Sequence, residues 1–309
     1  MGFVRSSIRR GLLATALWWA GAAGACDLTG GLSIEGMRDF SRMDGYFIGG
    51  DRCFYPGSTP AASIPPFKGP NPADNRRLFY VNGANGDPAR IAQVLEAMAA
   101  RSNIYVVGLF YASGNIKQIA QGLVPRTPKG ASVETLHQLL RDAINANETI
   151  HIRAGSAGTF VVGEALRRMS AELTQRRLQP GKGPEQLDLI RVETTGSANR
   201  DFPDGPRYVH YINRLDPVAA SMDTPGLATQ LGARAVLALF TDKAPDGTIY
   251  EPDASPQQAR FLSVHGPEIY DGYRRRFDSL YAVDGDRRGP PNLPRRINLK
   301  SIDLPGEGI

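Results

Sequence analysis

The sequence predicts an α/β fold: a mostly parallel sheet with helices on both faces. Two observations carry that prediction. Short apolar runs alternate with amphipathic stretches from Arg76 to Tyr281, the pattern of strand–helix–strand units. The 309 residues are 41% hydrophobic and 22% charged, enough to build a large core, and no stretch reaches the ~20 apolar residues of a membrane span.

The elements follow in order. Leu78-Phe79-Tyr80-Val81 is an apolar run of buried-strand type that ends in Asn82-Gly83. Asp87-Pro88 then offers an N-cap and a proline at the first helical position. Ile91, Val94, Leu95 and Met98 follow at helical spacing and give one apolar face. The next strand is Ile104 to Phe110. Ser132 to Asn147 is a helix with its stripe at Leu136, Leu140, Ala143 and Ile144. Thr149 to Arg153 is a strand and Gly158 to about Arg176 a helix. Strands are expected at Leu187–Val192, Tyr208–Ile212 and Ala235–Phe240, and a last helix at Pro267–Tyr281.

Outside this core, three segments differ in composition. Residues 1–25 read as an export signal: Arg5, Arg9 and Arg10 precede an apolar run, and Ala23-Gly24-Ala25 supplies small residues at a cleavage site. Arg9-Arg10 loosely matches a twin-arginine signal, and an uncleaved anchor is the alternative. The expected mature chain begins at Cys26, which either carries lipid and attaches the chain to a membrane or pairs with Cys53 in an oxidising compartment. Residues 26–75, rich in Gly, Pro and Ser, are expected to form an arm over the surface. Residues 282–309 are expected to be an extended or disordered tail.

Charge excludes some functions. The net charge of +5 includes the three arginines of the signal, so the rest of the chain carries +2, too little to argue for nucleic acid. There is no Gly-x-x-x-x-Gly-Lys-Ser/Thr phosphate loop, and the two Cys cannot make a four-Cys zinc site. No cofactor or metal is expected.

In an open sheet of this class, sites form beyond the carboxyl ends of the strands. There the third strand runs into Ala154-Gly155-Ser156-Ala157-Gly158 and then a helix. A serine in a tight strand–turn–helix connection projects its oxygen at the apex, with small residues needed on either side. Ser156 is the only serine in the chain with Gly two residues on. The Ala157 N–H, at the helix start, is placed to meet a developing oxyanion. The bland alternative is an ordinary capped turn. The fifth strand ends in Asn213-Arg214-Leu215-Asp216-Pro217-Val218, where Asp216 either orients a histidine or simply starts a turn. Of the four histidines, His137 is expected to be an exposed helix residue, and His151 and His210 to sit inside strands. His265, in a loop before the last helix, is the candidate general base.

The order Ser156, Asp216, His265, together with Phe79-Tyr80-Val81-Asn82-Gly83 and Asn213 to Val218, resembles bacterial α/β-hydrolases, and the layout is similar to fungal-type triglyceride lipases. Thr195-Gly196-Ser197-Ala198 stands where those lipases carry a Phe-Gly-Ser-Pro strand end. The resemblance spans residues 76–281. Ala154 and Gly155 depart from it, replacing the usual Gly and His of the elbow. It implies Ser156 as nucleophile, Asp216 and His265 as its partners, and Gly83 or Ala84 as a second oxyanion N–H. With the expected export signal, the reading is an exported esterase acting on a small-molecule or lipid ester. An acyltransferase or thioesterase with the same triad, or a non-catalytic binding protein of the envelope, are the alternatives.

Overall fold

The computed structural model describes residues 26, 31–35, 37, 39–72, 76–84, 86–113, 130–175, 183–220, 231–232, 235–243, 255–282 and 300–304. The expected export signal therefore lies outside the described residues. Four short strands come first: β1 (Leu32–Ser33), β2 (Phe47–Ile48), β3 (Cys53–Tyr55) and β4 (Phe67–Lys68). The main body then alternates: β5 (Arg77–Val81), α1 (Pro88–Ser102), β6 (Tyr105–Leu109), α2 (Ala131–Ala146), β7 (Ile150–Gly155), α3 (Gly158–Gln175), β8 (Ile190–Thr195), β9 (Arg207–Asn213) and β10 (Val236–Phe240). Three helices follow, α4 (Pro256–His265), α5 (Pro267–Tyr273) and α6 (Phe277–Ala282), and then β11 (Lys300–Asp303).

All the strands join one sheet in the order β1-β3-β2-β6-β5-β7-β8-β9-β10-β11, with β4 also on β6. From β6 to β11 every pair is parallel, and β1 to β4 pair antiparallel. Helices cover both faces, so the α/β class is the one expected.

Alternation along each strand divides the sheet into two faces. One carries Phe79, Val81, Ile152, Ala154 and Val192 against α2 and α3 in a large apolar core. On the other, Leu78 and Val106 meet α1, while Val209, Val236 and Ala238 meet α5 and α6. Between those two apolar clusters the central strands present Arg153 and Glu193, both fully buried.

Four local features depart from the expectations. The segment before residue 76 adds strands to the sheet edge instead of lying over the surface; the Cys26–Cys53 disulfide within it is one of the two expected fates of Cys26. Two- and three-residue strands broken by Gly and Pro have no legible period. The expected tail contributes β11, parallel to β10. The strand expected at Leu187 starts at Ile190, because Pro184 opens a 3₁₀ turn over Pro184–Leu189. The single last helix is broken: Arg274 is extended (φ −63°, ψ 129°), and its side chain runs inward to Glu193.

Candidate active site

The helix α1 begins as its sequence dictates. Asp87 accepts a hydrogen bond from the Arg90 N–H at 2.9 Å, with Pro88 in the first turn. The loop it leaves behind, Asn82-Gly83-Ala84, lies beside the turn that holds Ser156. A Cβ on Gly83 would sit 2.9 Å from the Ser156 Cβ.

Ser156 has φ +47°, in the left-handed region that non-glycine residues rarely adopt. The turn is held locally: the Ser156 N–H donates to the Thr195 carbonyl at 2.9 Å, and the Thr159 hydroxyl donates to the Ser156 carbonyl at 2.5 Å. Gly158 must be glycine, because a Cβ there would meet the Asn82 carbonyl oxygen at 2.4 Å. Strain at a half-buried apex supported on both sides is the geometry that a nucleophile elbow would require.

Asp216 is fully buried at the end of the β9 turn. A buried carboxylate needs hydrogen-bond partners, and among the described residues Asp216 has three: the Val218 N–H at 2.9 Å on Oδ1, and His265 Nδ1 at 2.7 Å and the Tyr270 hydroxyl at 2.5 Å on Oδ2. His265 Nε2 lies 2.8 Å from Ser156 Oγ. With Nδ1–H donating to the carboxylate, Nε2 is left to accept the serine proton, the tautomer a general base needs.

His265 is the last residue of α4, not in a loop as its Gly-Pro neighbours suggest, and its ring packs on Phe261 one turn earlier at 4.5 Å. Gly196 (φ +56°) passes so close that a Cβ would lie 2.8 Å from His265 Cε1. The other histidines stand apart. His137 is not exposed: its Nε2 lies 3.1 Å from Glu172. His151 meets Glu193 at 2.8 Å. His210 is fully buried between Thr194 Oγ1 and the Leu231 carbonyl, and burial depresses its pKa to about 4.

Ser156 and His265 open into a small cleft of about 130 Å³, whose other walls include Gly83, Ala84, Ile91 and Leu262. At its rim, Arg90 of α1 is ion-paired to Glu268 of α5. Burial raises the Glu268 carboxyl, and Arg90 only partly offsets it. Among the described residues no three His, Cys, Asp or Glu side chains are grouped to hold a metal ion, and no helix is long and apolar enough to cross a membrane.

Two groups make contacts that their own sequence neighbourhoods do not reveal, although Asn213 opens the Asn213 to Val218 run noted above. Tyr270 touches Asp216 across 54 residues of chain. Asn213 donates through Nδ2 to the carbonyls of Asp242 (2.7 Å) and Val264 (2.9 Å), tying the end of β10 and the residue before His265 to the end of β9.

No family model and no curated protein matches the chain. Among solved structures it is similar to poly(aspartic acid) hydrolase-1 from Sphingomonas sp. KT-1, at 14% identity over 76% of this chain and 83% of that one, with a TM-score of 0.28.

Proposed function

We propose that this protein is an exported serine hydrolase that cleaves carboxylic esters through an acyl-enzyme. The observation that carries the reading is the unbroken hydrogen-bond chain Ser156 Oγ–His265–Asp216 at the strand ends, beside the cleft. Ser156 Oγ attacks the ester carbonyl carbon as His265 Nε2 takes its proton. The tetrahedral oxyanion collapses, the alkoxy bond breaks, and His265 returns the proton to the departing alcohol. Water then repeats the sequence on the acyl-enzyme and releases the acid.

The Ala157 N–H, at the start of α3, is one donor to the oxyanion in this reading. The second is Gly83 or Ala84. The Gly83 carbonyl is tied by Asn82 Nδ2 (2.8 Å) and Ser113 Oγ (3.3 Å), which fixes the peptide plane carrying the Ala84 N–H. Export is supported by the Cys26–Cys53 disulfide, since such bonds persist in oxidising compartments. A sulfur so engaged has no bond left for a lipid thioether, which favours the disulfide-bonded form of Cys26 over the lipidated one.

A fluorophosphonate probe tests the proposal, because only an activated serine reacts with it. The wild type should be labelled at Ser156 and should hydrolyse a p-nitrophenyl ester. Ser156→Ala should lose labelling and ~10⁴-fold or more of the rate, with stability within ~1 kcal/mol of wild type. An unlabelled wild type would overturn the reading.

A further inference from the structure

One carboxylate oxygen in this site serves two donors. Asp216 Oδ2 accepts from His265 Nδ1 at 2.7 Å and from the Tyr270 hydroxyl at 2.5 Å. We propose that Tyr270 is a positioning residue for the reaction, clamping Asp216 and drawing off part of its negative charge so that His265 is oriented without being held too firmly in its protonated form. The inference rests on the Ser156–His265–Asp216 reading above.

The geometry suits that role. Tyr270 is buried on α5, and its ring stands edge-on to Phe240 at 5.3 Å and 80°, so packing holds the ring independently of its hydroxyl. Burial, and then the charge of Asp216, keep the phenol protonated far above the ordinary range, so it remains a donor. The hydroxyl and Asp216 together form a short charge-assisted contact in the buried interior, where such bonds are strong.

The other charged groups around this cluster already have partners. On α5, Asp271 is ion-paired with Arg153 of β7 at 2.5 Å, and Glu268 with Arg90 of α1. From β8, Glu193 is held by Arg274 and His151. Beyond β10, Asp242 accepts from the Tyr273 hydroxyl at 2.8 Å. Asp87 caps α1, and Tyr80 of β5 is a buried phenol kept protonated by that burial. Of these groups, Tyr270 is the one that touches the carboxylate on which His265 depends.

Tyr270→Phe removes one oxygen and leaves the ring against Phe240. With one donor fewer, more of the Asp216 charge falls on His265, which then keeps its proton to higher pH and cannot accept that of Ser156. Two changes are expected in the rate of fluorophosphonate labelling. The acid limb of the pH profile moves up by about one pH unit, and the plateau falls about tenfold as Asp216 loses a restraint. Replacing Tyr270 by 3-fluorotyrosine, which keeps the hydroxyl and makes it a stronger donor, should move the limb the other way. A structural role for the ring alone would produce neither shift.

The experiment measures labelling rate against pH for the wild type, Tyr270→Phe, the fluorotyrosine variant, Asp216→Asn and the Tyr270→Phe/Asp216→Asn pair. In the Asp216→Asn background, Tyr270→Phe should cost less than about twofold, since its effect passes through the carboxylate. A labelled wild type with an unmoved limb in both Tyr270 variants overturns the role of Tyr270 alone. An equal loss in both backgrounds does the same. A wild type that is not labelled overturns the hydrolase reading and this inference with it.

Discussion

The two halves of the candidate site are held in different ways. Ser156 is fixed by backbone: a positive φ, four hydrogen bonds to its own peptide groups, a glycine two residues on, and an α3 buried along most of its inner face. Asp216 and His265 come from segments 49 residues apart and are fixed by side chains. Asn213 ties the β9 and β10 ends to Val264, Tyr270 caps Asp216, and Arg274 anchors the α5–α6 link to Glu193 in the middle of the sheet. The proposed nucleophile is thus set by local geometry, and the proposed base and its carboxylate partner by a polar network spanning several elements. A network of that kind should fail cooperatively, with stability and activity falling together, whereas the Ser156 hydroxyl can be removed with little structural cost.

The largest expected break of that contrast is at Glu193. It is fully buried, receives two bonds from Arg274 (2.7 and 2.8 Å), and meets His151 at 2.8 Å. Burial alone would raise its pKa, but Arg274 and then His151 outweigh it and hold the carboxyl well below its ordinary value of 4.5. Arg274→Met leaves a buried carboxylate short of its main partner, and should cost about 3–5 kcal/mol. Because the folded pKa is depressed, wild-type Glu193 contributes stability above pH ~4.5 that is lost as pH falls. In Arg274→Met burial gains ground, so the deficit should be larger at pH 8 than at pH 5. Melting temperatures at the two pH values, measured with labelling rates, check this. A variant that loses stability but keeps its full labelling rate would separate the network from the site.

The same contrast explains what the sequence could reveal. The tight turn at Ser156 is legible because its determinants lie within five consecutive residues and between two periodic elements. Asp216 is legible as an acid just past a strand, and His265 because four histidines can be weighed singly. The helical setting of His265 is not, because Gly266-Pro267 looks like a loop when it only separates α4 from α5. Tyr270 and the Glu193–Arg274 pair are invisible for a different reason. Their meaning lies in partners 54 and 81 residues away, and nothing in their own neighbourhoods marks them. The strands before residue 76 escape because strands of two or three residues, set among Pro and Gly, carry no alternation to read.

A smaller effect is expected at Asn213, which belongs to the polar network but carries no charge. Its amide donates to two carbonyls, and its Oδ1 accepts from the N–H groups of Leu215 and Asp242, both at 3.2 Å. Asn213→Ala should cost about 2 kcal/mol, from buried carbonyls that lose their donor. Labelling should slow about tenfold, since the Val264 carbonyl beside His265 loses its tie to the end of β9. Asn213→Asp removes the donors but keeps the acceptors, and should be no better. If Asn213→Ala melts lower yet labels at the wild-type rate, the tie to Val264 does not position His265.

The smallest effect concerns the other face of β9, where His210 sits in apolar surroundings stacked on Tyr208 at 5.5 Å, with Phe202 at 5.1 Å. Its two ring nitrogens meet Thr194 Oγ1 and the Leu231 carbonyl, and burial, only partly opposed by that carbonyl, lowers its pKa to about 4. An unfolded chain protonates this histidine near pH 6.5, so the unfolded state binds more protons over the window from 6.5 down to about 4. Stability should therefore fall as pH drops through that window, by about 1 kcal/mol between pH 7.5 and 5.5. The effect should not reach the site, because His210 is on the apolar face and makes none of the bonds that hold Asp216 or His265. Replacing His210 with Gln should flatten the dependence of melting temperature on pH between 7.5 and 5.5, at some fixed loss of packing. The acid limb of fluorophosphonate labelling should stay where it is. A limb that moved with His210→Gln would mean that the two faces of β9 are coupled, and that the base and acid are positioned from both sides of the sheet.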